Sequence, residues 1–197
     1  MIDRKIFFNG VRSGPYSGKL TTDQVRGLGE LLDVWEKIGY KNPWYPAVNL
    51  ANVYRETGGM MLPVREGFRK TDAAARSFVK RQGYKYSVVV NGHVYYGRGR
   101  IQNTWDYNYK ALTKRFGFDF YNNPDAILDD SKRDAEITVI GHLEGLWSSG
   151  KHPLSKFLDK QPPDLINSRR GVNGLDHAGE IAGVAKQFYA DLVAAGA

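Results

Sequence analysis

The sequence predicts a mainly α-helical domain with one small β-hairpin near residues 85–96. Apolar residues recur at helical spacing along most of the 197-residue chain, and only one segment has the pattern of paired strands. No repeat, low-complexity tract or Ser/Gly-rich linker separates two halves. A chain of this length buries roughly two-thirds of the surface that it exposes when unfolded. We therefore expect a single domain over residues 1–197.

The N-terminal half predicts an amphipathic helix followed by a buried one. Thr21 and Gln24 have the spacing of a capping box, and apolar residues then recur at helical period over residues 22–38. A second helix is expected up to the glycine pair Gly58-Gly59. Its residues are apolar on more than one side, which is typical of a helix buried in a core. Residues 1–19 carry no motif that assigns them a role.

The centre of the chain predicts a short basic helix and the hairpin. The helix covers residues 71–82 and ends at Gly83. Two β-rich runs, 85–90 and 93–96, then flank Asn91-Gly92, which is the strongest short-range hairpin signal. This is the one clear strand pair in the sequence.

The C-terminal half predicts further helices. Thr104 is the expected cap of the first and Gly117 its stop. The predicted segments are 105–116, 131–147, a short turn at 153–158, 164–170 and 177–194.

Composition excludes several kinds of chemistry. The chain contains no Cys, so a thiol nucleophile, a disulfide framework and a Cys-based metal site are ruled out. Its four His residues, at positions 93, 142, 152 and 177, show no metal-ligand spacing, and no phosphate-binding glycine motif is present. We therefore expect neither a metal nor a cofactor.

The positive charge is concentrated in one segment. The whole chain has a net charge of +7, whereas residues 65–115 alone hold twelve Lys and Arg against three Asp and Glu. Such a surplus favours a polyanionic partner, which could be a nucleic acid, an anionic lipid surface or an acidic cell-wall polymer. A basic surface that only maintains solubility explains the charge equally well.

The sequence lacks the apolar runs of membrane and secretory segments. The N-terminus has no apolar stretch of secretory length, and no run approaches the ~18 apolar residues of a membrane span. We expect a soluble, cytoplasmic protein without an export signal or membrane insertion.

Two glutamates ten residues apart form the first candidate site. Glu56 falls in the last turn of the buried helix, where burial and the negative end of the helix dipole disfavour an ionised carboxylate, as a general acid requires. Glu66 has basic neighbours in Arg65 and Arg69 that favour the ionised form, as a general base requires. Such a pair is typical of glycoside hydrolysis. On these residues alone, a solvated helix end and a surface ion pair are the stronger interpretation.

Residues 95–109 form a second, denser candidate site. Aromatic side chains in this segment can stack on sugars or bases, and Gln102, Thr104 and Asn108 can bind hydroxyls, amides or a water. Composition alone does not separate a sugar cleft from a groove for single-stranded nucleic acid or from a structural corner between hairpin and helix.

The same segment resembles a known family. Residues 96–109 read Tyr-Gly-Arg-Gly-Arg-Ile-Gln-Asn-Thr-Trp-Asp-Tyr-Asn-Tyr and are similar to the central motif of glycoside hydrolase family 19. Upstream, residues 54–59 resemble the family's His-Glu-Thr segment and residues 61–66 its second carboxylate. Downstream, residues 145–147 and 170–174 resemble the late helix and the Asn-Gly element. The ordered resemblance spans about residues 45–192.

The resemblance implies a fold, a reaction and residue roles. The family comprises chitinases and bacteriophage endolysins that cut peptidoglycan, with a lysozyme-like, two-lobed helical fold. It implies that Glu56 is the general acid, that Glu66 is the general base and that Thr104 holds the attacking water. Hydrolysis would then proceed by single displacement with inversion. The residues implied to bind substrate are Tyr96, Arg98, Gln102, Trp105, Tyr107, Asn108, Arg170 and Asn173.

Three features depart from the family pattern. Arg55 replaces the usual His beside the acid, and Arg100 occupies a position where a small or apolar residue is common. The disulfides of the plant chitinases are absent, which fits the phage and bacterial branch.

The charge pattern favours one substrate within the family. Chitin is neutral, whereas peptidoglycan and its attached polymers are anionic, so a basic segment would concentrate the protein on the latter. We therefore expect a monomeric endolysin of the host cytoplasm that cuts peptidoglycan and has no specific nucleic-acid partner. A chitinase is the alternative within the family, and a non-catalytic module that binds cell wall or nucleic acid is the alternative of another class.

Overall fold

The structure, a computed structural model, describes residues 1–197 and confirms the mainly helical fold class. Ten helices are joined by loops, and two short strands form one antiparallel sheet. The helices are α1 (Arg4–Ser13), α2 (Thr22–Ile38), α3 (Trp44–Glu56), α4 (Asp72–Arg81), α5 (Asp106–Phe116), α6 (Ala126–Asp129), α7 (Ser131–Glu144), α8 (Ser155–Leu158), α9 (Leu165–Ser168) and α10 (Ala178–Ala194), and the strands are β1 (Val64–Arg65) and β2 (Arg98–Gly99).

Helix α3 is the centre of the larger lobe. Every residue from Tyr45 to Val53 is buried, as the apolar pattern on several sides predicts. Helix α3 packs against α10, α2 packs against α7, and side chains from all four join one large apolar cluster. Since Glu56 is the last residue of α3, this core fixes where its backbone lies.

The smaller lobe is built around α4, α5 and α6. It contains two separate apolar clusters, one including Val79 of α4 and one including Leu112 of α5. Strand β1 pairs with β2 in this lobe, with Val64 opposite Gly99. Glu66 directly follows β1, so its carboxylate belongs to the smaller lobe, whereas that of Glu56 belongs to the larger lobe.

Capping residues set most helix boundaries. The predicted capping box is present at the start of α2, where Thr21 accepts from the Gln24 N–H and the Gln24 side chain accepts from the Thr21 N–H. The Thr71 hydroxyl oxygen caps α4 by accepting a hydrogen bond from the Ala74 N–H. Helix α1, to which the sequence assigned no role, begins at Asp3, whose carboxylate accepts from the Ile6 N–H.

The predicted hairpin over residues 85–96 is wrong beyond its turn. Val90 and His93 exchange two backbone hydrogen bonds of 2.8 and 2.9 Å around Asn91-Gly92, but no ladder extends from them. Residues 85–87 wind into a 3-10 turn, and Val88 and Val89 remain largely exposed because no second layer covers them. The strand pair of this fold therefore joins segments more than thirty residues apart, β1 and β2.

Two helix boundaries also differ from prediction. Helix α5 has no side-chain cap, because the Thr104 hydroxyl donates to the Gln102 carbonyl instead. Helix α7 ends at Glu144 and does not reach residue 147, since Gly145 adopts a left-handed conformation.

Candidate active site

A cleft of about 480 Å³ brings the two glutamates and most of the aromatic segment together. It receives Glu56 from the end of α3, Glu66 from the turn after β1, and residues 101–108 from the corner between β2 and α5. Its lining residues are Glu56, Glu66, Tyr86, Gly97, Ile101, Gln102, Thr104, Trp105, Tyr107, Asn108, Trp147, Arg170, Val172, Asn173 and Gly174.

Glu56 is held by an arginine that the sequence analysis did not identify. Arg169 Nη2 donates to Glu56 Oε1 at 2.6 Å, and Arg169 Nη1 donates to Asn52 Oδ1 at 2.8 Å. The guanidinium is 2% exposed, whereas the Glu56 side chain is 16% exposed and reaches the cleft. The sequence predicts a buried helix end around this carboxyl group, and the fold adds the positive charge of Arg169. One oxygen of Glu56 is therefore fixed, and the carboxyl group lies in the cleft wall.

Glu66 is held by two hydrogen-bond donors. The Gly97 N–H donates to Oε2 at 2.8 Å, and the Tyr86 hydroxyl donates to Oε1. The two donors hold both carboxylate oxygens, which are the proton-accepting atoms of a general base. The expected cationic neighbours have other partners, because Arg65 pairs with Asp125 at 2.6 Å and Arg69 lies over the Phe78 ring.

Tyr86 remains a proton donor in this arrangement. Burial of the phenol, followed by its hydrogen bond to Glu66, raises the pKa of Tyr86 well above its ordinary value. Its ring also makes an edge contact with Trp105, with ring centroids 5.6 Å apart. The sequence offered no signal for this role, since Tyr86 falls within the predicted hairpin, twenty residues from Glu66.

A glycine allows the chain to approach Glu66 closely. A Cβ atom at Gly97 would lie 2.7 Å from Gln102 Oε1 and 3.2 Å from Glu66 Oε2. The Glu66 N–H also donates to the Gly97 carbonyl at 2.8 Å, so Gly97 is bonded to both the backbone and the carboxylate of Glu66. This explains the glycine after Tyr96 in the motif in physical terms.

The corner between β2 and α5 presents the polar residues. Gln102 Nε2 donates to the Val64 and Gly99 carbonyls, both at 3.0 Å, which fixes the amide against β1 and β2. Asn108 Nδ2 donates to the Thr104 carbonyl at 2.7 Å. The Thr104 hydroxyl donates its own proton to the Gln102 carbonyl at 2.8 Å, so its lone pairs are free to accept a hydrogen bond from water.

Unusual backbone conformations accompany this corner. Gln102 has φ of 53° and Trp105 has φ of 72°, in a region that residues with a Cβ rarely occupy. Strain of this kind is concentrated at functional sites. It turns the Trp105 ring toward the cleft, where it stacks on Tyr107 with centroids 6.0 Å apart.

The late segment contributes the remaining predicted residues. Arg170 and Asn173 are exposed and line the cleft beside Val172. The Asn173 N–H donates to the Arg169 carbonyl at 3.0 Å, so the turn that holds Glu56 also positions Asn173.

Two predicted substrate-binding residues lie outside the cleft. Tyr96 is fully buried and Arg98 is 1% exposed, and neither lines the cavity. Arg98 pairs with Asp125 at 2.6 Å and with Asp72 at 3.2 Å, and its guanidinium lies 3.5 Å from the centre of the Tyr96 ring. Buried charges of this kind need such partners, so both residues support the lobe and have no surface to offer a substrate.

The two arginines that depart from the family pattern have different positions. Arg55 points away from the cleft, with Nη2 2.6 Å from His177 Nε2. Arg100 is fully buried and pairs with Glu30 of α2 and with Asp134 of α7, the latter at 3.0 Å. Burial raises the pKa of Asp134 to about 6, and the Arg100 charge opposes this shift. Arg100 is therefore a structural residue behind the site.

The structure lacks two other kinds of feature. No group of three or more His, Cys, Asp or Glu residues is arranged to hold a metal ion. None of the helices combines the length and apolar character needed to cross a bilayer.

The fold and the cleft together indicate the class to which this protein belongs. A two-lobed, mostly helical domain with two carboxyl groups in one cleft is the lysozyme-like architecture. Residues 58–142 match the family model of glycoside hydrolase family 19 described as chitinase class I. The resemblance of this chain to glycoside hydrolase family 19 is thereby confirmed.

Individual relatives agree with this family. Endochitinase A2 of Pisum sativum is 48% identical over 57 residues, which is 29% of this chain and 15% of the relative. Inactive chitinase-like protein 1 of Hevea brasiliensis is 49% identical over 56 residues, which is 28% of this chain and 16% of the relative. A bacterial family 19 chitinase of known structure superposes with a TM-score of 0.55 at 21% identity, covering 99% of this chain and 95% of that one. The match to the curated relatives thus spans a small part of their length, whereas the fold is shared throughout.

Proposed function

We propose that this protein is a peptidoglycan-degrading endolysin that hydrolyses β-1,4 glycosidic bonds with inversion. The observation that carries the proposal is the pair of carboxyl groups in one cleft, each held by different partners. Arg169 fixes Glu56 from the larger lobe, and Tyr86 and Gly97 fix Glu66 from the smaller one. Glycoside hydrolysis by single displacement requires two carboxyl groups that face one cleft.

The proposed reaction uses the two groups on the same bond. Glu56 donates a proton to the glycosidic oxygen, so the leaving sugar departs as an alcohol. Glu66 accepts a proton from a water whose hydrogen bond to the Thr104 hydroxyl orients it toward the anomeric carbon. One water is consumed, and the anomeric configuration inverts because the water attacks the face opposite to the leaving group. In enzymes of this type the carboxyl groups are ~6.5–9.5 Å apart, which leaves room for that water.

The remaining cleft residues provide sugar recognition. Trp105 and Tyr107 offer stacked ring faces, and Tyr107 is 56% exposed at the cleft edge. Gln102, Asn108 and Asn173 offer amide groups to hydroxyl and acetamido substituents. This mixture of apolar faces and a few oriented polar groups is typical of ligand-binding clefts.

The distribution of unpaired charge supports peptidoglycan over neutral chitin. The acidic partners of Arg65, Arg76, Arg98, Arg100, Lys110 and Arg115 neutralise half of the basic residues in segment 65–115. Five of the other six, between residues 69 and 85, have exposed side chains and no acidic partner. An anionic polymer gains from such charges, whereas chitin does not.

Two other functions are each favoured by one observation. Chitin hydrolysis is favoured by the endochitinase relatives and by the bacterial chitinase fold. A non-catalytic role is favoured by the similarity to a relative that is described as inactive. Both are separated from the proposal by activity on defined substrates.

The test compares purified sacculi with colloidal chitin. We expect the wild-type protein to release new reducing ends from sacculi, and Glu56→Gln to lower that rate by at least about 10³-fold because the amide does not donate the required proton. Sugar analysis of the digest identifies the bond that is cut. Reducing ends from chitin alone would favour the chitinase, and none from either substrate would favour the non-catalytic module.

A matched control makes the same chemical change away from the cleft. Glu136 is exposed on α7 and forms no ion pair or side-chain hydrogen bond. We expect Glu136→Gln to retain wild-type activity. Wild-type activity in Glu56→Gln would contradict the assignment of the general acid.

A further inference from the structure

The cleft is continued by a row of aromatic rings that leaves it on the side of α4. The rings of Tyr107, Trp105, Tyr86 and Tyr84 follow one another with centroid separations of 6.0, 5.6 and 5.2 Å. The first three line the cleft, whereas Tyr84 lies outside it and is 38% exposed. The Tyr84 N–H donates to the Val79 carbonyl at 3.2 Å, which holds the Tyr84 backbone close to the end of α4. The row therefore extends aromatic surface from the cleft to Tyr84, where a chain longer than the cleft can contact it.

The last ring, Tyr84, belongs to a segment with many exposed basic side chains, which we call the basic ledge. The ledge consists of Arg69, Lys70, Lys80, Arg81 and Lys85. All five are exposed, and none donates a side-chain hydrogen bond or forms an ion pair, although Arg69 contacts the Phe78 ring. No Asp or Glu occurs between residues 73 and 105, so the segment that carries Lys80, Arg81 and Lys85 supplies no local counter-charge.

We propose that Tyr84 and the basic ledge form a second binding surface, outside the catalytic cleft, for a glycan strand that carries carboxylate groups. This inference rests on the proposed function, because it assigns the same substrate to an additional surface. Sugar rings of a strand lying in the cleft continue onto Tyr84, and carboxylates attached to that strand lie against the ledge. Exposed cations favour such groups through attraction that salt screens.

An anionic lipid surface is the competing ligand. Val88 and Val89 are 60% and 65% exposed next to the ledge, and apolar side chains beside cations are also found at membrane surfaces. The glycan is favoured because the ring row is continuous with the cleft, whereas the two valines are not part of that row.

The experiment measures binding separately from hydrolysis. Sedimentation with purified sacculi and with chitin beads is performed on proteins that carry Glu56→Gln, which prevents digestion. In this background, the ledge variant Lys80→Gln/Arg81→Gln/Lys85→Gln removes three ledge charges. The control variant Lys37→Gln/Lys41→Gln/Lys186→Gln removes three exposed charges elsewhere, which lie on α2, just after α2 and on α10. None of those three elements contributes a residue to the cleft.

The proposal predicts a difference between the two substrates. We expect the ledge variant to bind sacculi about tenfold more weakly at low salt, with a flatter salt dependence, because each exposed charge contributes a fraction of a kcal/mol. Its binding to chitin beads should change less than about twofold, and the control variant should match the parent on both. Tyr84→Ser should weaken binding to both substrates, because ring stacking does not depend on charge.

Several results would overturn the inference. These are undiminished sacculus binding by the ledge variant, or an equal loss in the control variant. Another is a ledge variant that binds phosphatidylglycerol vesicles more weakly than the parent but binds sacculi as well as the parent. If lipid were the ligand, Val88→Ser/Val89→Ser would give the same result. Failure of the proposed function is a separate result, since it appears as absent hydrolysis of sacculi by the wild-type protein whatever the binding data show.

Discussion

At the scale of single residues, the two glutamates were predictable and their partners were not. Both line the cleft, as the family resemblance implies, although their neighbours in sequence alone favour a solvated helix end and a surface ion pair. Arg169 lies 113 residues from Glu56 in sequence, and Tyr86 lies 20 residues from Glu66. Such contacts depend on tertiary packing, which periodicity and capping patterns do not encode.

Tyr86→Phe tests the donor to Glu66. Removing the hydroxyl leaves the Gly97 N–H as the one protein donor to that carboxylate, and a hydrogen bond to a charged group contributes roughly 1.5–3 kcal/mol. We expect kcat on sacculi to fall about tenfold or more while KM changes less than about twofold. Tyr189→Phe, whose hydroxyl makes no hydrogen bond, is the matched control. Unchanged kcat in Tyr86→Phe would show that the contact is dispensable.

At the scale of secondary-structure elements, long helices were predictable and short pairings were not. Periodicity and caps located α2, α4 and α10 to within one residue, and α3 ends two residues before Gly58, its predicted stop. The hairpin was misplaced because its β-branched residues have no layer to pack against, and β-propensity depends on such packing. Strands β1 and β2 contain two residues each, too few for a period to be visible in sequence.

Arg100 links elements and provides a test of their packing. It pairs with Glu30 of α2 and Asp134 of α7 and donates to the Met61 carbonyl at 2.7 Å. Arg100→Met leaves two acids without their cation in a buried site, which typically costs about 3–5 kcal/mol. Urea denaturation should detect this loss in the free energy of unfolding.

The same change at an exposed ion pair is the control. Arg133 lies 3.4 Å from Asp130 and is one-third exposed, so Arg133→Met should cost less than about 1 kcal/mol. Equal stabilities of the Arg100 and Arg133 variants would contradict the linking role of Arg100. Adding Glu30→Gln and Asp134→Asn to Arg100→Met should recover part of the lost stability.

At the scale of the whole molecule, the sequence predicted the fold class and the location of the positive charge. It did not predict which cations are free. Arg65, Arg76 and Arg98 lie in the same basic segment as the ledge but are paired with acids in the fold. The net charge of a segment is therefore an upper bound on what a partner encounters, because the fold decides which charges are already neutralised.

The acid stability of the whole domain should depend on His142. This side chain is fully buried, with Nδ1 3.2 Å from Asn49 Nδ2 and Nε2 without a partner. Burial, assisted by the Arg169 charge, lowers the pKa of His142 to about 3. Between pH 6.5 and 3 the unfolded chain binds a proton at this residue and the folded chain does not, so its contribution to stability falls as the pH falls.

His142→Gln removes this contribution. We expect the variant to lose less unfolding free energy than the wild type between pH 6.5 and 4, with a difference on the order of a few kcal/mol. Asp134 has the opposite effect over part of this range, because its pKa of about 6 favours the folded state as the pH falls. The wild type and the variant share Asp134, so their difference at each pH isolates His142. His93→Gln is the control, and parallel stability curves for His142→Gln and the wild type would contradict the prediction.

The proposed mechanism is a single displacement in which Glu56 protonates the glycosidic oxygen and Glu66 takes a proton from the attacking water. Proton NMR of the first products from soluble β-1,4 glycan fragments tests this claim directly, because the anomer that forms first is visible before mutarotation. A single displacement at a β-linked sugar predicts that the new reducing end appears as the α-anomer. Initial formation of the β-anomer would indicate a double displacement and would contradict the general-base role assigned to Glu66.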